Sequence, residues 1–227
     1  MQIKFKRSIK EYDYLVMFDL ASKTTGVCVF DLRTMKPVDT YILQVKGEYE
    51  LPMAELQVRL VMFFEYLEYD CGYDLGKVLV FKEAPPTQVR GAQSTIQTFI
   101  ALAKSHAILD IVLFNNGIDC YDYTGIYPIS THCYSRKLMN LSKQDKITKD
   151  VVRDCVYASY GKFKELTYDE ADAVMLAKTF LEVKWNNDLD EEIKKHKKHK
   201  KSLKMKNAIE AEQKEIERLE NLRITIE

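Results

Sequence analysis

The sequence predicts an α/β domain with a mixed central sheet, an antiparallel leading hairpin, flanking helices and a charged helical tail. Three observations lead there. The chain opens with three strand-like segments, too close together for the helical crossovers that parallel neighbours need. Helices and strands then alternate. After Trp185 the composition turns almost wholly charged, with no Gly or Pro. The expected division is a sheet domain over 1–185 and a lysine-rich helical tail over 186–227.

Each element has its own warrant. YLVMFDLA, from Tyr14 to Ala21, is an apolar run of strand length that ends in acid. TTGVCVFDL follows with β-branched and aromatic residues, and PVDTYILQV after a connection short enough for a hairpin. In ELPMAELQVRLVMFFEYLEYD, Leu56, Leu60, Phe63, Phe64 and Leu67 recur at helical spacing. KVLVFKEA is a buried-type strand ending at Glu83 and stopped by Pro85 and Pro86. GAQSTIQTFIALAKSHAILDIVLFNN reads as a long helix, and IDCYDYTGIYPIS as a strand broken by Gly125 and Pro128. KITKDVVRDCVYASYG is a short helix, and YDEADAVMLAKTFLEVKW another, with Ala173, Leu176, Ala177 and Phe180 on one stripe. The tail reads as one long helix because helix formers dominate it. A weak heptad runs through Ile209 and Ile216, with Met205, Leu219 and Ile226 on the second seam. It fits either a coiled coil or a solvated helix docked on its own domain.

The whole chain sets further bounds. Its 227 residues carry 34 Lys plus Arg and 34 Asp plus Glu, so a uniformly basic nucleic-acid coat is excluded, though a basic groove beside an acidic site is not. The cysteines, Cys28, Cys71, Cys120, Cys133 and Cys155, are scattered and odd in number, which fits a reducing compartment better than a disulfide framework. The N-terminus lacks the apolar core of a signal peptide. No stretch reaches the roughly 18 apolar residues of a membrane span. A soluble cytoplasmic protein without a membrane partner is expected.

Four acids stand where a metal site needs them. Asp19 and Glu83 end buried-type strands, and Asp169 and Asp172 sit three residues apart at the head of a helix. A carboxylate at a buried strand end is costly unless it is paired, solvated or bound to a cation. Oxygen-only donors suit Mg²⁺ or Mn²⁺. For any one acid, capping or solvation is an equal reading. The letters D-E-A-D also call up a helicase, but no phosphate-cradling G-x-x-x-x-G-K-[ST] loop lies upstream.

In order, LVMFDLASKTTGVCVFD, VLVFKEAPP and YDEADAVMLAK resemble three motifs of the RuvC-type Holliday junction resolvases, in the RNase H-like superfamily. These are the first hairpin (Asp19, then Thr25-Gly26), the fourth strand with its Glu (Glu83) and the last helix with Asp-x-x-Asp-Ala (Asp169, Asp172). The similarity spans roughly Tyr14 to Phe180. Two features depart from the family: Asp19-Leu20-Ala21 replaces the usual Asp-Pro-Gly, and the segment from Ile118 to Lys149 matches poorly. The poorly matching segment and the charged tail would suit a phage-type member acting in its host's cytoplasm.

The resemblance implies an RNase H-like fold and hydrolytic nicking of four-way and other branched DNA by a homodimer. It implies two Mg²⁺, with Mn²⁺ as substitute, held by Asp19, Glu83, Asp169 and Asp172. It implies a lysine near the scissile phosphate, either Lys146 or Lys149. The residues expected to meet DNA phosphates are Arg90, Arg136, Lys137, Lys143, Lys146 and Lys149, with the tail's lysine stripe as added affinity. His196 and His199 lie inside that stripe and would add charge as pH falls. The subunit contact is expected from the helix over Glu55–Tyr69 or the one from Gln93. The alternatives are a nuclease of the same fold acting on other flaps or RNA, a non-catalytic DNA-binding protein, and an actin-like ATPase, which the missing glycine and phosphate loops disfavour.

Overall fold

The computed structural model describes residues 7–48, 51–83, 96–123, 131–203 and 205–224. The chain forms two compact units, Tyr12–Ala177 and, separately, Met1–Glu11 with Lys178–Glu227.

The first unit is built on a five-stranded sheet in the order β3-β2-β1-β4-β5. β1 (Tyr14–Asp19) lies at its centre, antiparallel to β2 (Thr24–Asp31) and parallel to β4 (Val78–Glu83). β3 (Lys36–Gln44) extends the hairpin at one edge, and β5 (Asp119–Tyr123) runs parallel to β4 at the other. This is the mixed sheet with an antiparallel leading hairpin that the sequence predicts. The β2–β3 turn is set locally: the Asp31 carboxylate accepts from the amides of Arg33 (2.7 Å) and Thr34 (3.3 Å).

Strand alternation sorts the core into two layers. Val16, Phe18, Val27, Val29, Val78 and Val80 face one side, against Leu56, Leu60, Phe63 and Phe64 of α1 (Pro52–Glu65) and Leu109, Val112 and Leu113 of α2 (Ile96–Asn115). Phe18 meets Phe63 edge-on at 6.0 Å. By the same alternation Leu15, Met17, Cys28, Phe30, Leu79 and Phe81 face the other side, and all are buried. There Phe30 meets Tyr160 of α4 (Lys149–Tyr160). α5 (Tyr168–Thr179) is buried on more than the single stripe expected: Ala171, Ala173, Val174, Met175, Leu176 and Ala177 are all inside, while Tyr168 is exposed and Asp169 and Asp172 are partly so.

Three expectations need correction. A helix, α3 (Thr131–Leu138), lies where none was predicted. Its sequence THCYSRKL carries no apolar repeat long enough to announce it. α2 is long and apolar enough to cross a membrane, because only Lys104 and Asp110 interrupt it, yet one side of it belongs to the core of the sheet unit. The tail is two helices, α6 (Trp185–Ser202) and α7 (Lys206–Glu220), and not one. A single helix would leave Leu189, Ile193, Ile216 and Leu219 in water, whereas in the second unit all four are buried. Trp185 Nε1 donates to the Leu222 carbonyl at 2.9 Å, and Asn186 exchanges hydrogen bonds with the backbone of Ile224. Pairing across the hairpin also changes the lysine stripe. Across it Lys197 contacts Glu220 and both His196 and His199 approach Glu212, while within α6 Lys194 and Lys195 contact Glu191 and Glu192.

Among the described residues Cys28, Cys71, Cys120 and Cys155 are free thiols. The loop between β3 and α1 is held by one buried acid. Glu55, in the first turn of α1, accepts from the backbone amides of Lys46 (2.7 Å), Gly47 (2.9 Å) and Glu48 (3.0 Å). The Lys46 amide leads the three in holding its carboxyl below the ordinary range, against the opposing effect of burial. Such a carboxyl stabilises the fold above its ordinary pKa, and that contribution is lost as pH falls through the folded-state pKa. Glu55→Gln should therefore lower the urea midpoint at pH 7 and flatten the loss of stability on acidification. A midpoint that falls as steeply with acid as in the parent would remove Glu55 from that role.

Candidate active site

The site lies where β1 runs out. The last residue of β1, Asp19, pairs with Gly26 of β2 and so shares its face of the sheet. The turn between them is closed by Thr25, whose hydroxyl donates to the Ala21 carbonyl (3.1 Å) and accepts from its amide (3.2 Å). Those two bonds hold the Asp19-Leu20-Ala21 exit in shape.

The first turn of α5 rests directly on β2. A Cβ at Gly26 would lie 2.0 Å from the backbone oxygen of Asp169. Only a residue without a side chain lets the helix come this close. The approach brings the α5 acids to the β1 acid: one carboxylate oxygen from each of Asp19, Asp169 and Asp172 lies within 4.8 Å of the others. Asp169 and Asp172, three apart, share one helix face.

Glu170 between them does something else. Its Oε2 accepts from the Thr167 amide (2.9 Å) and hydroxyl (2.8 Å), and the Glu170 amide donates back to that hydroxyl (3.3 Å). Thr167 and Glu170 thus form a capping box. Its Oε1 accepts from the Thr40 hydroxyl (2.7 Å), with the Lys164 ammonium at 2.9 Å. Burial works against its charge, but these donors outweigh it and keep its pKa below the ordinary value. Helix-start chemistry is therefore the right reading for one acid of the DEAD run, and convergence on Asp19 for the other two.

A cation answers the three acids. Lys149, the first residue of α4, places Nζ 3.2 Å from Asp169 Oδ1 and 3.6 Å from Asp172 Oδ2. A lysine in a helix's first turn opposes the macrodipole, a small cost that the acids offset. Partial burial disfavours its charge, but the hydrogen bond to Asp169 and the fields of Asp172, Asp169 and Asp19 prevail, and its pKa is raised. Thr148 caps α4, its hydroxyl accepting from the Val151 amide. Tyr168 braces the two helix starts: its hydroxyl donates to Asp150 (2.8 Å) and its ring lies under Arg153 (4.9 Å).

The other expected residues are placed as follows. Glu83 ends β4, one step beyond the Phe18–Lys82 pairing and so level with Asp19. Its side chain, like Arg90 and the rest of 84–95, lies outside the described residues. Of the two candidate lysines, Lys149 meets the acids, and Lys146 is exposed in the preceding loop. Arg136 of α3 donates to the Asp145 carbonyl (2.8 Å) and so shapes that loop, while Lys137 and Lys143 are exposed. Sequence reasoning missed Thr40, Lys164 and Tyr168. The spacing Thr167-x-x-Glu170 was a readable signal for the capping box, but nothing local announced a partner 130 residues away in Thr40.

The donor set fits a hard divalent cation. Carboxylate oxygens from a strand end and a helix start converge, partly exposed, with the Lys149 ammonium among them.

No protein-family model and no curated protein matches the chain. Among solved structures it is similar to Thermus thermophilus RuvC in complex with Holliday junction substrate, at 12% identity over 73% of this chain and 91% of that one, with a TM-score of 0.49. A further Thermus thermophilus RuvC structure aligns at 13% identity over 73% and 92%, with the same TM-score. The yeast mitochondrial Holliday junction resolvase Ydc2 aligns at 13% identity over 74% and 76%, with a TM-score of 0.42.

Gly26→Ala tests the close approach. The added methyl must push the Asp169 turn off the sheet, at a cost of about 1–3 kcal/mol in unfolding free energy, the usual range for overpacking. Denaturant titration should show that loss. Unchanged stability would mean that α5 does not rest on β2.

Proposed function

We propose that the chain is a divalent-metal-dependent endonuclease that cuts branched DNA, four-way junctions foremost. The observation that carries this reading is the gathering of Asp19, Asp169 and Asp172 around one point at the sheet end, with Lys149 beside them. Protein acids brought this close repel one another, and a divalent ion relieves the repulsion better than one lysine does. Asp19, Asp169 and Asp172, with Glu83 as the fourth, would hold Mg²⁺. Two such ions, when bound, supply Lewis-acid stabilisation and an activated water for phosphodiester hydrolysis.

The chain's own residues do the rest. The Gly26 approach and the Thr25 turn hold the acids in place before substrate arrives. The Lys149 ammonium, half exposed on a flexible stem, turns from the carboxylates toward a phosphate oxygen and offsets the charge that builds there. Lys137, Lys143 and Lys146, exposed on α3 and the following loop, are the cations nearest in sequence to serve DNA phosphates.

Cutting a two-fold junction in opposed strands asks for a two-fold enzyme. α2 offers a matching surface. Ile96, Ile100, Ile111 and Phe114 are exposed, with Ala103 and Ala107 between them. Their spacing reads nearly alike from either end, so two copies laid antiparallel would set large residues against large and bring small ones to the crossing. This favours α2 over α1 as the subunit contact.

One nicking assay tests both parts, using four-way junction, flap, linear duplex and RNA–DNA substrates with and without Mg²⁺. The parent should cut the junction in opposed strands only with Mg²⁺. Asp19→Asn should bind the junction but cut it at least about 100-fold more slowly, the scale of losing one group that stabilises transition-state charge. The double variant Ile111→Glu, Phe114→Glu should sediment as a monomer and nick one strand at a time. Equal cutting by Asp19→Asn would sink the nuclease reading. Preference for flaps or RNA would replace the junction as substrate, and a parent that sediments as a monomer would remove the dimer.

A further inference from the structure

We propose that Glu170, which takes no part in the acid cluster, is a positioning residue: anchored on Thr40 of β3, it sets the rotation of α5 that turns Asp169 and Asp172 toward Asp19. The proposal rests on the cation-binding reading of those three acids.

The geometry has two fixed points. Gly26 sets how close the first turn of α5 comes to the sheet, because the Asp169 carbonyl lies against it. That backbone contact sets the distance of the helix from the sheet, not its rotation about its own axis. Successive residues are about 100° apart around a helix, so a roll of one position would carry Asp169 away from Asp19. The second fixed point removes that freedom. Thr40 pairs with Cys28, two residues along β2 from Gly26, so both points lie on one face of the sheet. The Thr40 hydroxyl, itself buried, donates to Glu170 Oε1 at 2.7 Å. Lys164 joins the anchor. Its ammonium contacts Glu170 (2.9 Å), Asp39 (3.3 Å) and the Thr40 carbonyl (2.7 Å), binding the loop before α5 to the same strand.

A capping role alone does not account for this. The box with Thr167 uses Oε2, and a cap needs no more. The other oxygen, Oε1, reaches across to a different element, and the whole residue is only 5% exposed. Asp169 and Asp172 leave the helix on a face about 100° or more from Glu170, so the side chain that anchors the helix is also the one that aims its neighbours.

The test reads cation binding directly, as loss of the free Mn²⁺ paramagnetic resonance signal on titration with protein, alongside melting temperature. Thr40→Val removes the hydroxyl and keeps the shape, and Lys164→Met removes the second donor. Each should raise the Mn²⁺ dissociation constant about tenfold, the lower end for losing a group that orients a metal ligand. Thr40→Ser, which restores a hydroxyl, should return it to about the parent value. Variants that melt earlier yet bind Mn²⁺ like the parent would overturn the proposal and leave the network a structural one. Asp172→Asn is the control for the underlying reading. If it too binds Mn²⁺ like the parent, the acids are no cation site, and the proposal falls with them for that separate reason.

Discussion

Like charges do not gather in a protein without a reason, and Asp19, Asp169 and Asp172 stand within 4.8 Å at their nearest oxygens. Their mutual repulsion is the constraint around which this end of the molecule is organised. Lys149 relieves it in part, and the raised pKa of that lysine is the other side of the same attraction. Three features position the cluster: a strand end in the centre of the sheet, a turn closed twice by Thr25, and a helix start resting on a glycine. The acids are preorganised, and the folding energy of the surrounding core offsets the repulsion.

The DEAD stretch shows how one short run divides its work. Asp169 and Asp172 lie on the face turned to Asp19, while Glu170 closes the capping box and reaches β3. A helix start suits both tasks. The unbonded amides of its first turn favour negative charge, so the two outward aspartates cost less there than they would in mid-helix. The cation that serves them also comes from a helix start, that of α4, where Thr148 caps and Tyr168 bridges to Asp150.

Much of this was legible in the chain because local rules and the fold agree. The hairpin of β1 and β2, the strand ending at Glu83, and the helices carrying Lys149 and Asp169 all follow from apolar runs of the right length with acids or caps at their ends. Other features were hidden for physical reasons. α3 is too short and polar to show a period. The tail's apolar residues could be read along one helix or across two, and only burial of Leu189 and Ile193 together with Ile216 and Leu219 in one unit decides for the hairpin. Which of Lys146 and Lys149 meets the acids depends on which residue stands first on α4, a matter of three positions. Thr40 reaches Glu170, and Lys164 reaches Asp39 and Thr40, only through contacts far apart in sequence, which no local pattern reports.

The most direct measurement is anomalous diffraction from crystals grown with Mn²⁺. A peak bounded by the carboxylates of Asp19, Asp169 and Asp172, with Lys149 moved off Asp169, is the result the account predicts. A map with no peak among those oxygens at saturating Mn²⁺, and Lys149 still bonded to Asp169, would contradict it.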